Sequence, residues 1–429
     1  PEDVILSSLR GTCKAYGKKS FGTHLATQWG SGPFNAPEHA TRLFLSLALS
    51  YMHGADHINT EDGLWTTEDD HSRFTCEGKE HIAEQKKMLG YILTHQRNGK
   101  FVAPVAVLQG RNDAWRCFVR KGSAWSQQDE EWKFGPVEFS FDLFNVFYPG
   151  SKLDVVYKFP CPREPQGWYT GMPYGPLDIV PVEAGDSVLA TYKYLAFLGW
   201  NTFDENDFSR LLTFVKNGGT LLLTAAHLNS ELRHGLPVKT VQNKILEELL
   251  GKEYNKQKGI VCHPAGKGRV IFFASVAYPA DNTLRADYEK ELHAFGEAAL
   301  GSERARGWIK GNNSVCFTAY DNSDGSRTLH LLNTDWWSND SVHSAKLLLG
   351  DKEFDIKARR GYIETITVKD GFALMPSSMF NSLLEADISD KITLKIQAVE
   401  KDRIDVFFKN GNTTQLYIKN AGLLNIIID

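Results

Sequence analysis

The apolar positions of the first hundred residues change period several times. Residues 3–17 carry them at helical spacing and stop near Gly17. Ser20 to Trp29 reads as a strand that emerges into a polar, aromatic tip. Pro37 and Glu38 suit the first turn of a helix. That helix is apolar on nearly every side through Leu43, Phe44, Leu47, Ala48 and Tyr51, and it stops near Gly54. From Ala55 to Trp65 an apolar start turns abruptly polar, acidic and aromatic, as a buried strand does where it leaves a core. Residues from about Arg73 to Gln96 form a more amphipathic helix with a Lys/Glu-rich outer face. Strand–helix–strand–helix is the rhythm of βα units with parallel strands. Two such units do not close a barrel, which takes eight.

A second texture begins at Val102. Val102–Leu108 is a continuous apolar run, the pattern of a strand buried on both faces, and a Gln109–Asp113 turn follows it. Order returns at Leu177–Val180 and at Tyr194–Trp200. Asp204 reads as a helix N-cap, with Phe208, Leu211, Leu212 and Val215 at helical spacing behind it and Gly218-Gly219 as the stop. Thr220–Thr224 and Gly268–Phe273 read as strands, and 282–300 as a closing helix. This alternation predicts an open, doubly wound, flavodoxin-like α/β domain. From about residue 303 the runs become short and alternating: Val315–Tyr320, Thr328–Leu332, Ala345–Leu349, Gly361–Val368, Ile392–Val399, Ile404–Phe408 and Gln415–Ile418. Asn/Asp/Gly turns separate them, which predicts an all-β tail built as one sandwich or two small ones. The fold class is therefore α/β plus all-β.

Composition narrows the function classes. The chain has 429 residues, 42% hydrophobic and 23% charged, with a formal net charge of -4, so it carries no electrostatic footprint for nucleic acid. No apolar run is long enough to cross a membrane. Six cysteines lie scattered, without metal-ligand spacing, and read as reduced, mostly buried thiols. They favour a cytoplasmic setting over a periplasmic one without excluding the second. The residues Pro1–Val4 do not read as a signal peptide. Ten Trp, fifteen Tyr and twenty-five Phe leave two readings open: core packing, or rings lining a carbohydrate cleft.

Three stretches carry a family resemblance. Tyr51-Met52-His53-Gly54-Ala55-Asp56 resembles the segment that leads into the eighth barrel strand of family 42 glycoside hydrolases, the beta-galactosidase-like enzymes. Tyr192–Phe197 followed by Phe214–Leu221 resembles their trimerisation domain, whose fold is glutamine-amidotransferase-like. Leu331-Leu332-Asn333 resembles part of their C-terminal β domain. The resemblance implies the end of a (β/α)8 barrel over residues 1–98, the α/β domain over 99–302 and the β-sandwich region over 303–429. Ser20–Trp29 would be strand seven and Ala55–Trp65 strand eight. The family uses an acid/base glutamate after strand four and a nucleophilic glutamate after strand seven. The first would lie outside this sequence. At the second the chain departs from the pattern: the tip reads Gly22-Thr23-His24-Leu25-Ala26-Thr27-Gln28-Trp29, with His24 about where the nucleophile is expected.

Hydrolysis of a glycoside takes two carboxyl groups, roughly 5–5.5 Å apart for retention and 6.5–9.5 Å for inversion. Glu61 has the type and place of one of them; its other reading is a loop cap or a ligand for a substrate hydroxyl. Neighbouring Asp62 reads as structural. His24 either binds a sugar hydroxyl or orients a carboxylate. Gln28 and Trp29 would share that mouth, and Trp29 and Trp65 are either stacking platforms or ordinary wall. Asn59 alternates onto the same face as Glu61. Two other groupings fail. Ala226-His227 with Cys262-His263 downstream suggests an amidotransferase-type Cys–His pair, but the strand-to-helix turn after Thr224 carries no Cys or Ser nucleophile. Gly266-Lys267-Gly268-Arg269 precedes a strand instead of joining a strand to a helix, so it reads as a hairpin turn and not as a phosphate loop. The expected protein acts on a β-glycoside such as a β-galactoside and needs no metal or organic cofactor. It forms a homo-oligomer, trimer or dimer, or a complex with a chain carrying the rest of the barrel. Nucleic acid and membrane are not among the expected partners. The competing reading is a non-catalytic carbohydrate-binding or structural subunit that completes a barrel with another chain.

Overall fold

A computed structural model describes residues 2–26, 38–61, 68, 72–113, 135–151, 169–232, 236–388 and 392–428. Helix α1 (Glu2–Ala15) leads into strand β1 (Gly22–Leu25), helix α2 (Glu38–Met52), strand β2 (His57–Thr60) and helix α3 (Cys76–Thr94). β1 and β2 pair in parallel, Gly22 opposite His57 and Leu25 opposite Thr60, as two βα units require. Each strand is four residues long, and the predicted tips at Gln28-Trp29 and Asp62–Trp65 fall outside the described residues. The unbroken apolar character of α2 has a plain cause: every residue from Arg42 to Met52 is buried. The strands cover one side of α2, α3 and α1 flank it, and the C-terminal region closes the rest, with Tyr320 donating to Met52 O at 2.7 Å.

Six strands form the central sheet: β4 (Val105–Gln109), β5 (Leu177–Pro181), β6 (Tyr194–Phe197), β7 (Thr220–Thr224), β8 (Ile260–Ala265) and β9 (Gly268–Phe273). Their order is β5-β4-β6-β7-β9-β8, with every neighbouring pair parallel except β8 with β9. The parallel strands thus run 2-1-3-4-5, a doubly wound order. Alternate residues point to opposite faces. Val107, Ala196, Leu222 and Ile271 pack on one face beneath helix α6 (Arg285–Glu303) through Tyr288, Leu292 and Phe295. Leu108, Leu195, Leu221 and Phe272 pack on the other beneath helices α4 (Glu205–Lys216) and α5 (Lys244–Leu250). Asp204 caps α4, its carboxylate accepting from Asn206 N and Asp207 N at 3.0 and 3.2 Å. β8 and β9 meet at Ala265–Gly268 across Gly266-Lys267, with Gly266 at φ 62°, so the lysine–glycine stretch is a hairpin turn.

Helix α1 packs along β5, the open edge of that sheet. Contact is close enough that a Cβ on Gly11 would lie 2.0 Å from Ile179 O. Arg10 donates to Leu177 O at 2.7 Å, so the helix also satisfies a carbonyl of the edge strand.

The remaining strands are β10 (Trp308–Lys310), β11 (Val315–Asp321), β12 (Arg327–Asn333), β13 (Val342–Leu349), β14 (Lys352–Arg359), β15 (Ile363–Lys369), β16 (Phe372–Pro376), β17 (Ser382–Ile388), β18 (Ile392–Ala398), β19 (Asp402–Phe408), β20 (Thr413–Ile418) and β21 (Gly422–Ile428). A seven-stranded sheet runs β20-β19-β16-β15-β12-β11-β3, where β3 (Lys100–Phe101) is the short strand between α3 and β4. Residues 100–101 therefore hydrogen-bond with this sheet and not with the central one. Two three-stranded sheets, β10-β13-β14 and β17-β18-β21, cover opposite faces of it. The alternation shows this: Ala373, Met375 and Phe407 pack towards Phe354 and Ile356 of β14, whereas Phe372, Leu374, Ile404 and Val406 pack towards Leu394 and Ile396 of β18. β16 is buried at every residue because both its faces are covered.

Of the four described cysteines only Cys316 is buried. Cys76 and Cys262 are exposed and Cys13 is intermediate, so the expectation of mostly buried thiols is corrected. Among the described residues no helix is long and apolar enough to cross a membrane.

Candidate functional site

The two faces of the β1–β2 pair differ in what they meet. On one face Thr23 donates to Ser50 of α2 at 3.0 Å, and Gln85 of α3 reaches Thr60 at 3.5 Å. These contacts hold the strands against their helices. The opposite face carries Gly22, His24, His57 and Asn59, all exposed. Glu61 continues the alternation of His57 and Asn59, and its N–H donates to Leu25 O at 2.9 Å, extending the parallel ladder by one residue.

The pairing brings three predicted site residues together. His24 and Asn59 are register partners. Asn59 Nδ2 lies 3.1 Å from His24 Nδ1. An amide nitrogen only donates, so Nδ1 accepts and the neutral ring carries its proton on Nε2. His24 Nε2 lies 3.4 Å from Glu61 Oε2, with the side chains 56% and 43% exposed. The order of contact is Asn59 to His24 to Glu61. Gln28, Trp29, Asp62 and Trp65 lie outside the described residues.

The turn before β2 is held from a distance. Asp56 N donates to Phe21 O at 2.9 Å, and Arg97 donates to Tyr51 O and Ala55 O, each at 2.8 Å. Arg97 also lies 3.6 Å from the Asp56 carboxylate, so Asp56 is a turn residue. Gly54 has φ 104°, a conformation that favours glycine.

His53, inside the His-Gly-Ala-Asp stretch, is wholly buried in a charged junction. Arg10 donates to its Nδ1 at 2.8 Å and forms an ion pair with Asp178 of β5 at 2.5 Å. Lys14 and Tyr192 donate to the other Asp178 oxygen, each at 2.7 Å. Burial raises the pKa of Asp178, but Arg10 and Lys14 more than offset it and hold the group at about 2. Ligand atoms of Asp3, His53 and Cys316 lie within 4.8 Å of one another. With Arg10 donating to Nδ1, the neutral His53 ring carries its proton on Nε2 and offers no lone pair to a cation there. The donor set does not fit a metal. None of these partners was legible in the sequence, since Arg10 and Asp178 are 168 positions apart.

His227 closes the turn after β7. Thr224 N donates to its Nδ1 at 2.9 Å, and its Nε2 faces Leu198 O at 3.5 Å. Burial pushes its pKa down to about 3. Both ring nitrogens are committed to backbone, while Cys262 lies exposed on the edge strand β8. The rejection of an amidotransferase-type pair agrees with this geometry.

No family model and no curated relative matches the sequence. The comparison with solved structures is informative. Gan42B, a family 42 beta-galactosidase from G. stearothermophilus, superposes with a TM-score of 0.51 at 13% identity, over 86% of this chain and 57% of its own. The fold is similar to part of a family 42 glycoside hydrolase fold. A beta-galactosidase from Bacillus circulans sp. alkalophilus is similar at TM-score 0.47 and 13% identity, over 82% of this chain and 55% of that one. Alpha-L-fucosidase isoenzyme 2 from Paenibacillus thiaminolyticus is similar at TM-score 0.44 and 13% identity, over 97% and 61%. This family 42-like chain therefore spans little more than half the length of the beta-galactosidases it matches.

Proposed function

We propose that this chain is the C-terminal part of a glycoside hydrolase that acts on a β-glycoside such as a β-galactoside. Residues 1–98 supply the last two βα units of its barrel, residues 99–302 a trimerisation-type α/β domain that builds an oligomer interface, and residues 303–429 a structural β domain. The observation that carries the reading is the Asn59–His24–Glu61 series on the open face of two parallel strands. In a closed barrel that face looks inward, and groups at the carboxyl ends of strands are where barrel enzymes place their chemistry.

In this reading Glu61 is one carboxylate of the catalytic pair, and its partner lies outside these 429 residues. A carboxylate with an imidazole nitrogen 3.4 Å from one oxygen suits the nucleophile or base half of the pair, because the neighbouring ring helps to place the reacting group. Asn59 fixes the histidine tautomer and His24 aims Glu61. Gln28, Trp29 and Trp65 would complete the sugar-binding mouth. The test is hydrolysis of a panel of aryl β-glycosides by the complete assembly, with and without Glu61→Gln. A loss of about 100-fold or more in kcat is expected; unchanged hydrolysis removes Glu61 from the chemistry.

One observation favours the competing reading of a non-catalytic carbohydrate-binding or structural subunit. The tip of β1 carries His24 where the resemblance implies a glutamate. Mass spectrometry of native material separates the two readings. A covalent continuation or a co-purifying chain that supplies the missing strands supports the enzyme, and their absence excludes a complete barrel.

A further inference from the structure

Between the C-terminal region and the segments at Pro149-Gly150 and Tyr169 lies a cavity of about 260 Å³, lined by Tyr169, Asn313, Thr334, Asp335, Trp336 and Trp337 among others. It shares no residue with the β1–β2 mouth. Its walls are two indoles at right angles, with ring centroids 5.3 Å apart and planes at 81°. Trp336 is 7% exposed and is backed by the Arg42 guanidinium, 5.1 Å from its ring. Its indole N–H is buried and meets no acceptor among the described residues, an arrangement that costs free energy unless something fills the role. Trp337 is 42% exposed, a large apolar ring left open at the rim.

The loop that carries both rings is held rigidly. Asp335 accepts from Trp337 N and Ser338 N at 3.2 and 2.9 Å, and its other oxygen meets His343 Nε2 at 2.9 Å. Arg360 donates to Asp335 O and Asp340 O, each at 2.8 Å. The charge of Asp335 is thus spent inside the loop. What remains for a ligand is an open ring face, an N–H donor, and the hydroxyl and amide groups of Thr334 and Asn313. That set has no net charge to offer an ion. The volume lies just under the range of about 300–1,000 Å³ usual for drug-sized ligands, and so suits one small ring.

From this geometry we infer that the cavity is a second carbohydrate site, one that takes a single neutral pyranose unit stacked on Trp337 and accepting the Trp336 indole N–H. The C–H face of a pyranose matches an exposed indole, and its hydroxyls match the unpaired donor and the neutral polar rim. The site does not depend on Glu61 being catalytic. It would hold a sugar unit, or a polysaccharide end, at a place that shares no lining residue with the β1–β2 mouth.

The experiment follows the ¹⁵N indole resonances of the protein during titration with methyl β-D-galactopyranoside and, separately, methyl β-D-glucopyranoside. Trp336→Phe and Trp337→Phe assign the two signals. Either glycoside should shift both signals saturably. Trp337→Ala should weaken that binding about tenfold or more, and Glu61→Gln should leave it unchanged. Trp336→Phe keeps an aromatic ring against Arg42 while removing the donor and part of the indole, so it should weaken binding without loss of fold. If neither glycoside moves these signals, or if affinity survives in Trp337→Ala and Trp336→Phe, the inference is wrong. Loss of binding in Glu61→Gln alone would place the sugar in the mouth and overturn it equally.

Discussion

His24 of β1 and Glu61 at the end of β2 stand 37 positions apart, and their side chains approach to 3.4 Å across a pair of parallel strands. The approach follows from register. Leu25 opposes Thr60 and its carbonyl accepts from Glu61 N, so the next side chain on the open face after Asn59 falls beside His24. His24→Ala removes the imidazole that lies beside the Glu61 carboxylate. His24→Ala is expected to lower kcat of the complete assembly about 10- to 100-fold through misplacement of the carboxylate. The side chain is 56% exposed, so the unfolding midpoint should move little. Steady-state kinetics on an aryl β-galactoside, beside thermal unfolding of the same variant, checks both halves. An unchanged kcat would show that His24 does not position Glu61.

Gly11 is a packing requirement. A methyl group there meets Ile179 O at 2.0 Å, too close for any Cβ, and backbone cannot step aside cheaply. Gly11→Ala gains helix propensity worth roughly 1 kcal/mol but forces α1 off the edge strand. A net destabilisation of about 1–3 kcal/mol is expected. Urea unfolding would measure it, with faster proteolysis at residues 2–20 as the local signature.

The Arg10–Asp178 pair is buried on both sides, with side chains 4% and 0% exposed. Removing Arg10 takes the ion-pair partner from one oxygen of the buried Asp178 carboxylate and leaves Lys14 and Tyr192 on the other. Arg10→Met should therefore cost about 3–5 kcal/mol, more than the loss of a surface ion pair. The pH dependence has a definite sign. Asp178 has a folded pKa of about 2, below its ordinary 3.8, so its stabilising contribution is present above about 3.8 and is lost as pH falls towards 2. Asp178→Asn should remove that acid-side slope, read from urea midpoints between pH 5 and 2.5.

Buried histidines predict an earlier acid transition. Burial lowers His95 to about 4 and His330 and His227 to about 3, against an ordinary 6.5. Each stays neutral in the fold but takes a proton once unfolded, so its contribution is complete above 6.5 and falls as pH drops below it. At pH 5 each such group removes roughly 2 kcal/mol. Thermal unfolding between pH 7.5 and 4.5 should show a steep fall starting near 6.5. His330→Gln should flatten that fall even if the lost bond to Tyr91, 2.7 Å in the parent, lowers the starting midpoint. A flat profile across this range would contradict the buried, neutral assignment.

Local pattern was sufficient where one face of an element decides its environment. The amphipathic α4 with its Asp204 cap and the two βα units were legible because 3.6-residue spacing, capping and polar stops are local signals. The shared face of Asn59 and Glu61 was legible for the same reason, as strand alternation is set by the backbone. Strand β16 was not legible: Phe372–Pro376 is apolar at every position because two sheets cover it, and such a run has no period. Strand β14 alternates cleanly at Phe354, Ile356 and Ala358, yet charged residues between them kept the segment from standing out as apolar. Edge strand β8 has one neighbour and a weak apolar signal.

The sequence by itself determined the two βα units, the capped helix α4, the order of the three textures, and the residues Glu61, His24 and Asn59 as candidates for one mouth. Only the tertiary structure decided which of them touch, because contact across parallel strands depends on register between segments joined by a whole helix. It alone placed α1 on the edge of the central sheet, Arg10 on Asp178 and His53, and Trp336 over Arg42. Each of these joins residues far apart in the chain through burial, and burial is a property of how surfaces stack, which no local spacing encodes.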